Sequence, residues 1–478
     1  MLFNSIDFAV FLPIVFLAYW ALKSSFKLQN GLILIASYVF YGWWDWKFLS
    51  LIAFSTVVDY LVGLYMDRSS QPGYRKMLLG ISLSVNLGLL FFFKYFNFFI
   101  GSFEQAFSLF GQDIHLGTLN IILPVGISFY TFQTMSYSID LYKGKISPTR
   151  DFIAFASFVS FFPQLVAGPI ERAAHLLPQF KRNRTLNVAD VSSGIDKILF
   201  GLFKKVVIAD RAAVVVNEVF AHHAEYQGFQ LVLGVVLFAF QIYCDFSGYS
   251  DIAIGTARLF GFDLMTNFNA PYLSRSLGEF WRRWHISLST WFRDYVYIPL
   301  GGSKAGKTAW YRNLMIVFLV SGFWHGANWT FIVWGGIHGL ALLLEAKFNF
   351  TETRVFKISM VRNVYVWVVV CLGWVFFRSD TVTIAFEFVI GLFDLGAYSL
   401  SQLTPYIIPT TSTHVFAHDV MLALVFIGIL LLAEWITERG KEFHNWGYWL
   451  KVPIYSMTVV AIYLFGVFEN NAFIYFQF

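Results

Sequence analysis

The chain is poor in charge. Only 13% of its 478 residues are Asp, Glu, Lys or Arg, against roughly 25% in soluble domains. No stretch is polar enough to fold as a separate soluble domain, so a single domain over 1–478 is expected. There are two cysteines, Cys244 and Cys371, both in apolar segments, which argues against a disulfide and leaves the redox compartment open. No GxSxG elbow, Walker loop or zinc-ligand spacing is present, so the motif-borne forms of serine, nucleotide and zinc chemistry are not indicated. The basic excess is small, 34 Lys and Arg against 29 Asp and Glu, too little to suggest nucleic acid. No internal repeat, low-complexity tract or linker is visible.

What is abundant is apolar surface. Hydrophobic residues make up 57% of the chain, 56 of them Phe, and the mean hydropathy is +0.61. This composition predicts an all-α polytopic protein of the lipid bilayer. A spanning helix needs about 20 apolar residues. Candidate spans lie near 6–22, 29–44, 48–65, 77–100, 119–138, 194–220, 229–260, 313–346, 363–377, 419–436 and 453–469, about eleven in all. The opening Met1–Asp7 lacks the basic stretch of a signal peptide, so the first helix is expected to be retained.

Loop charges then set a topology. Lys23 and Lys27 read inside, the Asp45/Lys47 turn outside, and Arg68, Arg75 and Lys76 inside. The 101–118 loop holds no Lys or Arg and reads outside, and Lys143, Lys145 and Arg150 return to the cytoplasm. Arg439, Lys441 and Lys451 read inside, which predicts both termini outside. The alternation breaks at 151–168, an apolar stretch ending in Pro163, Gly168 and Pro169 and followed by Arg172, Lys181, Arg182 and Arg184. A re-entrant or broken segment keeps that basic cluster inside. Irregular backbone at membrane depth survives only inside protein or along a wet cavity, so a cavity is expected. Segment 384–395 is similarly short, and 396–418 reads as an external loop.

Two histidines stand out against this background. His325 lies in Phe323-Trp324-His325-Gly326-Ala327-Asn328-Trp329, 13 residues after Arg312, or about 20 Å along a helix. A polar residue at that depth is a functional-site hypothesis, and a neutral imidazole is suited to general-base work. Gly322 and Gly326 leave room for a substrate to approach. The span 313–346 is too long for one crossing, with Gly335-Gly336 as the expected break. The alternative is a packing histidine bonded to a neighbouring helix. His285 lies in Glu279–Leu300, read as one helix near the cytoplasmic face. There Trp281, Trp284, Leu288, Trp291 and Tyr295 form one face, and Arg282, His285, Ser289 and Arg293 another. An ordinary interfacial amphipathic helix is the competing explanation.

Asp245, Ser247 and Asp251 put polar groups into an apolar stretch and are candidates for a cavity wall. A metal site is not indicated, since no other ligand-rich cluster completes one. His338 is read as packing, and His222-His223 as solvated surface.

These residues carry a family resemblance nearly end to end. The elements are Met1–Ser5 with Phe11-Leu12-Pro13, Leu123–Phe129, Phe162–Ile170, Asp245–Asp251, Asn269-Ala270-Pro271-Tyr272, Phe280–Ser287, Tyr297–Gly302, Phe323–Trp329 and Phe473–Phe478. The chain resembles the membrane-bound O-acyltransferases, in particular their bacterial alginate O-acetyltransferase-like branch.

The resemblance implies a ring of tilted helices, with re-entrant and interfacial segments, around a central tunnel. It implies His325 as the catalytic histidine and His285 as a second active-site position, orienting a thioester or stabilising an oxyanion. Asp245, Ser247, Asp251, Asn328, Trp324 and Ser289 are then expected along the substrate path. Arg282, Arg283, Lys304 and Lys307 would attract donor phosphates, or anchor the protein to the membrane. The implied donor is acetyl-CoA, with no tightly bound cofactor and no metal. The implied acceptor is an extracytoplasmic polysaccharide (alginate-type first, peptidoglycan or cellulose next). The implied partner is a periplasmic O-acetyltransferase of the SGNH-hydrolase type, and the implied location is the bacterial inner membrane. A polysaccharide or lipid transporter, and acyl transfer of D-alanine or a lipid chain, stand as alternatives.

Overall fold

The computed structural model describes residues 1–166, 168–304, 306–348, 359–403, 414–440, 447–468, 473 and 474, and contains no strand among them. The chain forms two compact units: Met1–Asp196 with Ile252–Met265, and Lys197–Asp251 with Thr266–Phe478.

In the first unit, helices α1 (Ile6–Ala21) and α2 (Phe26–Gly42) each begin at a serine whose hydroxyl accepts an amide hydrogen of the first turn, Ser5 from Phe8 and Ser25 from Leu28. These bonds satisfy amides that the helix itself leaves open. Helices α3 (Leu49–Asp67), α4 (Pro72–Leu90) and α6 (Ile127–Tyr142) pack together, and α5 (Phe96–Ser108) continues from α4 through a π-turn at Phe91–Tyr95. Their shared interior is polar. Asp59 of α3 is fully buried and accepts hydrogen bonds from Ser82 and from Asn86 at 2.9 Å on α4, and from Ser138 at 3.2 Å on α6. A buried carboxylate is retained only where such donors replace water.

The segment at 151–168 is broken, as the loop charges required. Helix α7 (Phe152–Ser160) ends where Phe161 turns out of helical conformation, and α8 (Phe162–Leu165) follows with Pro163 in its first turn. The nine residues of α7 reach about 14 Å, less than a crossing, and residues 154–166 are buried in protein. Nearby, Gly126 has φ +75°, and a Cβ there would stand 2.6 Å from the Leu165 carbonyl oxygen.

After the short α9 (Ala173–Leu176) of the first unit, the second unit receives α10 (Val188–Leu202) from Lys197 onward. It then holds a π-turn at Phe203–Ala209, α11 (Asp210–Ala221) and α12 (Phe229–Leu259) as far as Asp251. Next come the short α13 (Leu277–Arg283) and α14 (Ile286–Phe292), followed by α15 (Lys307–His325), α16 (Trp329–Phe348), α17 (Ser359–Arg378) and α18 (Val382–Phe393). Helices α19 (His414–Glu438) and α20 (Tyr448–Phe465) complete it.

Three expectations are corrected here. Glu279–Leu300 is not one helix: the backbone leaves α13 at Trp284, passes through φ +41° at His285 and restarts as α14. The hydrophobic period survives the break, since Trp284, Leu288 and Trp291 are all buried. The long 313–346 stretch does divide, but at Gly326–Asn328 rather than at Gly335-Gly336. Gly335 instead lets α15 and α16 touch. A Cβ at Gly335 would stand 2.3 Å from the Phe318 carbonyl oxygen, and one at Gly322 would stand 2.2 Å from that of Phe331. Gly322 therefore serves helix packing, not substrate approach.

Among the described residues, six helices are long and apolar enough to cross a membrane: Trp46–Asp67, Pro72–Ser108, Phe229–Leu259, Trp329–Phe348, Ser359–Arg378 and Ala417–Glu438. Ile6–Ala21, Phe152–Leu165, Val382–Phe393 and Trp449–Phe465 are apolar but shorter. The count falls below eleven partly because helices enclosed by protein need not be apolar. Of the 16 residues of α6, 14 are buried, Gln133, Thr134, Ser136 and Ser138 among them. Cys244 and Cys371 are free thiols. Of the 396–418 connection, 404–413 lie outside the described residues, as do Ala167, Lys441 and Phe476–Phe478 with Tyr475.

Candidate active site

The break between α13 and α14 is made by one residue that sequence reasoning passed over. Asn267 lies outside the helices and is fully buried. Its backbone carbonyl accepts from Ile286 N–H at 2.9 Å, replacing a bond that a continuous helix would make within itself. Its side-chain oxygen accepts from Ser287 Oγ at 2.9 Å and Ser287 N–H at 3.4 Å, and stands 3.1 Å from His285 Nδ1. Its amide nitrogen donates to Ser250 Oγ at 3.1 Å. With the amide so oriented, the network assigns the hydrogen of His285 to Nδ1 and leaves Nε2 as an acceptor.

His285 is therefore held twice, by a hydrogen bond and by an unusual backbone. A left-handed conformation at a residue other than glycine costs about 1–3 kcal/mol and persists where the surroundings impose it. Phe246 meets the ring edge-on at 4.6 Å, and Phe268 lies at 6.2 Å. His285 lies outside the long apolar helices, and burial pushes its imidazole down to about 3. It is neutral at physiological pH.

His325 is the last residue of α15, 4% exposed, and boxed by rings. Trp334 lies at 5.0 Å, Trp324 at 5.1 Å and Phe377 at 5.4 Å. The ring centroids of His285 and His325 are 6.5 Å apart. Both line one cavity of about 190 Å3, whose walls are Trp281, Trp284, Leu288, Phe292, Leu314, Val317 and Phe318, with Ser289, Arg293, Tyr297 and Ser321 as its other polar groups. Two imidazoles facing one small, mostly apolar space suit proton transfer, because such a lining screens developing charge less than bulk water does.

The remaining expected residues divide. Ser289 lines the cavity. Trp324 is buried beside both histidines, 6.2 Å from His285, but is not among the lining residues. Asn328 donates to the Asp380 carbonyl at 2.7 Å and accepts from Thr330 N–H at 3.1 Å, so it opens α16. Asp245, Ser247 and Asp251 lie elsewhere. Asp245 pairs with Lys205 at 2.8 Å and accepts from Ile474 N–H at 2.7 Å. Asp251 pairs with Lys197 at 3.0 Å and Lys204 at 2.7 Å, and Ser247 is buried on the same helix. These carboxylates hold helices together rather than facing the histidines. Arg282, Lys304 and Lys307 are exposed, whereas Arg283 is engaged by Glu279 at 2.7 Å and Glu438 at 2.6 Å. His338 is buried against Trp281 at 4.9 Å and Trp334 at 5.1 Å, a packing position. No cluster of metal-ligating side chains occurs among the described residues.

The sequence profile of the membrane-bound O-acyltransferase family matches residues 145–380, a range that contains both histidines and Asn267. A probable alginate O-acetylase of Pseudomonas syringae is 44% identical over 407 residues, covering 84% of this chain and 77% of that protein. A peptidoglycan O-acetyltransferase of Helicobacter pylori is 34% identical over 524 aligned positions, covering 100% of this chain and 98% of its own length. A teichoic acid D-alanyltransferase of Streptococcus thermophilus is 31% identical over 250 residues, 48% of this chain and 58% of that one.

Proposed function

The chain belongs to the membrane-bound O-acyltransferase family, and on that premise we propose that the two-histidine cavity is where an acetyl group changes hands. The protein is membrane-embedded and acts in O-acetylation of a polysaccharide. The donor in this reading is acetyl-CoA, presented from the cytoplasm. The acceptor lies outside the bacterial inner membrane, and both termini face outward.

Cavity size supports a short acyl group. An engineered cavity of about 150 Å3 holds benzene, so the 190 Å3 here admits a two-carbon acyl unit with its thioester sulfur. The rest of acetyl-CoA, large and polyanionic, stays in water, where exposed Arg282, Lys304 and Lys307 attract its phosphates. Arg283, already paired with two carboxylates, is the least available of the four.

In the reaction, His325 takes the proton of the attacking hydroxyl as its oxygen bonds to the thioester carbon. The carbon–sulfur bond then breaks, and the proton passes to the departing thiolate. His285 is neutral with its hydrogen on the nitrogen that faces Asn267, so its other nitrogen accepts rather than donates. That favours a role in orienting the hydroxyl or relaying its proton over the oxyanion role implied by family resemblance.

The acceptor is a polysaccharide of the alginate type, with peptidoglycan next, and a periplasmic SGNH-type O-acetyltransferase completes delivery. The D-alanyl alternative rests on a likeness to half the chain. A transporter would tolerate His325→Ala.

The observation that carries this reading is the shared cavity between His285 and His325. Its test uses purified protein and radiolabelled acetyl-CoA, with and without the periplasmic partner. His325→Ala is expected to lower acetyl release and transfer by about 10² to 10⁴. Unchanged transfer in a folded variant rejects His325 as the base.

A further inference from the structure

Behind the second histidine lies a segment almost 190 positions further along the chain. Phe473 is fully buried and Ile474 nearly so. The amide of Ile474 donates to Asp245 Oδ2 at 2.7 Å, while the other oxygen of that carboxylate meets Lys205 Nζ at 2.8 Å. Lys205 also pairs with Asp210 at 2.8 Å and sits 5.6 Å from the Tyr249 ring. Two carboxylates and an aromatic face thus neutralise one buried ammonium, and a backbone amide shares the arrangement. Just upstream, Val467 N–H donates to the Val206 carbonyl at 2.9 Å. The segment is therefore tied to the π-turn at Phe203–Ala209 and to the middle of α12.

These bonds fix where the Phe473 ring goes. It packs against Tyr249 at 4.6 Å and Phe246 at 5.4 Å. Phe246 in turn meets His285 edge-on at 4.6 Å and Phe268, next to Asn267 in the chain, at 5.0 Å. Phe473, Phe246 and His285 form a continuous line of rings. Interiors this closely packed transmit displacement rather than absorb it.

We propose that the Phe473-Ile474 segment is a positioning element for His285, anchored by the Asp245–Lys205 pair and acting through Phe246. This rests on the proposed role of His285 in the reaction. The inference gives Asp245 a function that its place in an apolar helix did not reveal: its carboxylate holds the tail in register. A reacting group displaced by about 1 Å can lose about 10²-fold in rate.

The test is a double-mutant cycle on the full chain in detergent, reading kcat, KM and melting temperature together. Phe473→Ala is expected to lower kcat 10- to 100-fold with KM nearly unchanged, and Phe473→Leu to recover most of the loss. Phe246→Ala is expected to act similarly. The double variant should then be no slower than the slower single one, since both remove the same line of contact. Should Phe473→Ala fail to fold, the graded series Phe473→Leu and Phe473→Val gives the same reading through a stepwise fall in kcat. Multiplying effects in the cycle, or a kcat per folded molecule that does not change along the series, overturn the inference. His285→Ala separates the two readings. If that variant is crippled while Phe473→Ala is unimpaired, the tail inference alone falls. If it is fully active, the role of His285 falls and the inference with it.

Discussion

Replacing Asn267 with alanine isolates the feature that distinguishes this site from a pair of buried histidines. The substitution removes the acceptor for His285 Nδ1–H at 3.1 Å and for Ser287 Oγ and N–H at 2.9 and 3.4 Å, along with the donor to Ser250. The serine hydroxyls can turn to other partners. The imidazole N–H and the Ser287 amide each lose an acceptor, and losing the partner of a buried donor costs up to about 1–3 kcal/mol. Because the amide contact is long, the expected loss of stability sits near the lower end, about 2–4 kcal/mol. The backbone bond from Ile286 to the Asn267 carbonyl remains, so the left-handed turn is weakened rather than abolished.

The effect on rate follows from the tautomer. If the hydrogen bond to Asn267 favours the productive ring state by about 1.4–2.8 kcal/mol, its loss lowers kcat about 10- to 100-fold. KM for the donor should change little, since Asn267 does not line the cavity. The assay is steady-state acetyl transfer from radiolabelled acetyl-CoA, normalised to folded protein. Asn267→Asp is the control. It keeps an oxygen facing Nδ1 and Ser287, loses the hydrogen donated to Ser250 and introduces a carboxyl group that burial favours in its neutral form, and it should stay within about tenfold of the parent rate. A folded Asn267→Ala enzyme within twofold of the parent refutes the assignment of the His285 hydrogen to Nδ1 as a functional requirement.

Two further expectations concern stability. Gly322→Ala places a Cβ 2.2 Å from a backbone oxygen of α16, whereas at Gly336 the nearest atom to a new Cβ is a Leu319 methyl at 3.8 Å. The first should lower stability by at least the ~1–3 kcal/mol of an overpacked core, read as a fall in melting temperature, the second should be neutral or slightly stabilising, and equal effects would contradict the close approach of α15 and α16. The other expectation is pH-dependent. His175 lies between Glu171 at 2.8 Å and Asp263 at 3.5 Å, and their hydrogen bonds and charges raise its imidazole to about 10. A raised folded-state value means that this contribution is complete below about 6.5, the ordinary histidine value, and fades as pH rises towards 10. Hydrogen exchange at the Met265 amide, which donates to Glu171 at 2.5 Å, should lose protection over that interval beyond the intrinsic pH effect. A His175→Gln variant with the same profile would exclude the histidine as the cause. At 39% exposure the side chain is screened by water, so the size of the effect is left to the measurement.

How much of this was legible in the sequence depends on what kind of fact each feature is. His285 and His325 announced themselves because an ionisable group is rare in so apolar a chain, and rarity is a property of the sequence. The break at 151–168 was legible for a similar reason: Pro163 and the basic cluster after it cannot be reconciled with a full crossing. Asn267 carried no such mark. It lies two residues before a recognisable Asn-Ala-Pro-Tyr stretch, and its importance comes from Ile286, Ser287 and His285, some twenty positions later. The left-handed backbones at Ala270 and His285 were equally silent, because neither is glycine. Periodicity misled at Glu279–Leu300 because α13 and α14 bury a common face, so a count of apolar positions runs through the break without a fault. Asp245 and Asp251 were noticed but placed on the substrate path. Their partners meet them only when the chain is folded: Lys205 about 40 residues upstream and Ile474 more than 220 downstream for Asp245, and Lys197 and Lys204 about 50 residues upstream for Asp251. Composition thus exposes a group that needs a reason to be buried. Only the tertiary structure supplies the reason, and here it divides the buried polar residues into two histidines that face a cavity and carboxylates that hold the walls behind them.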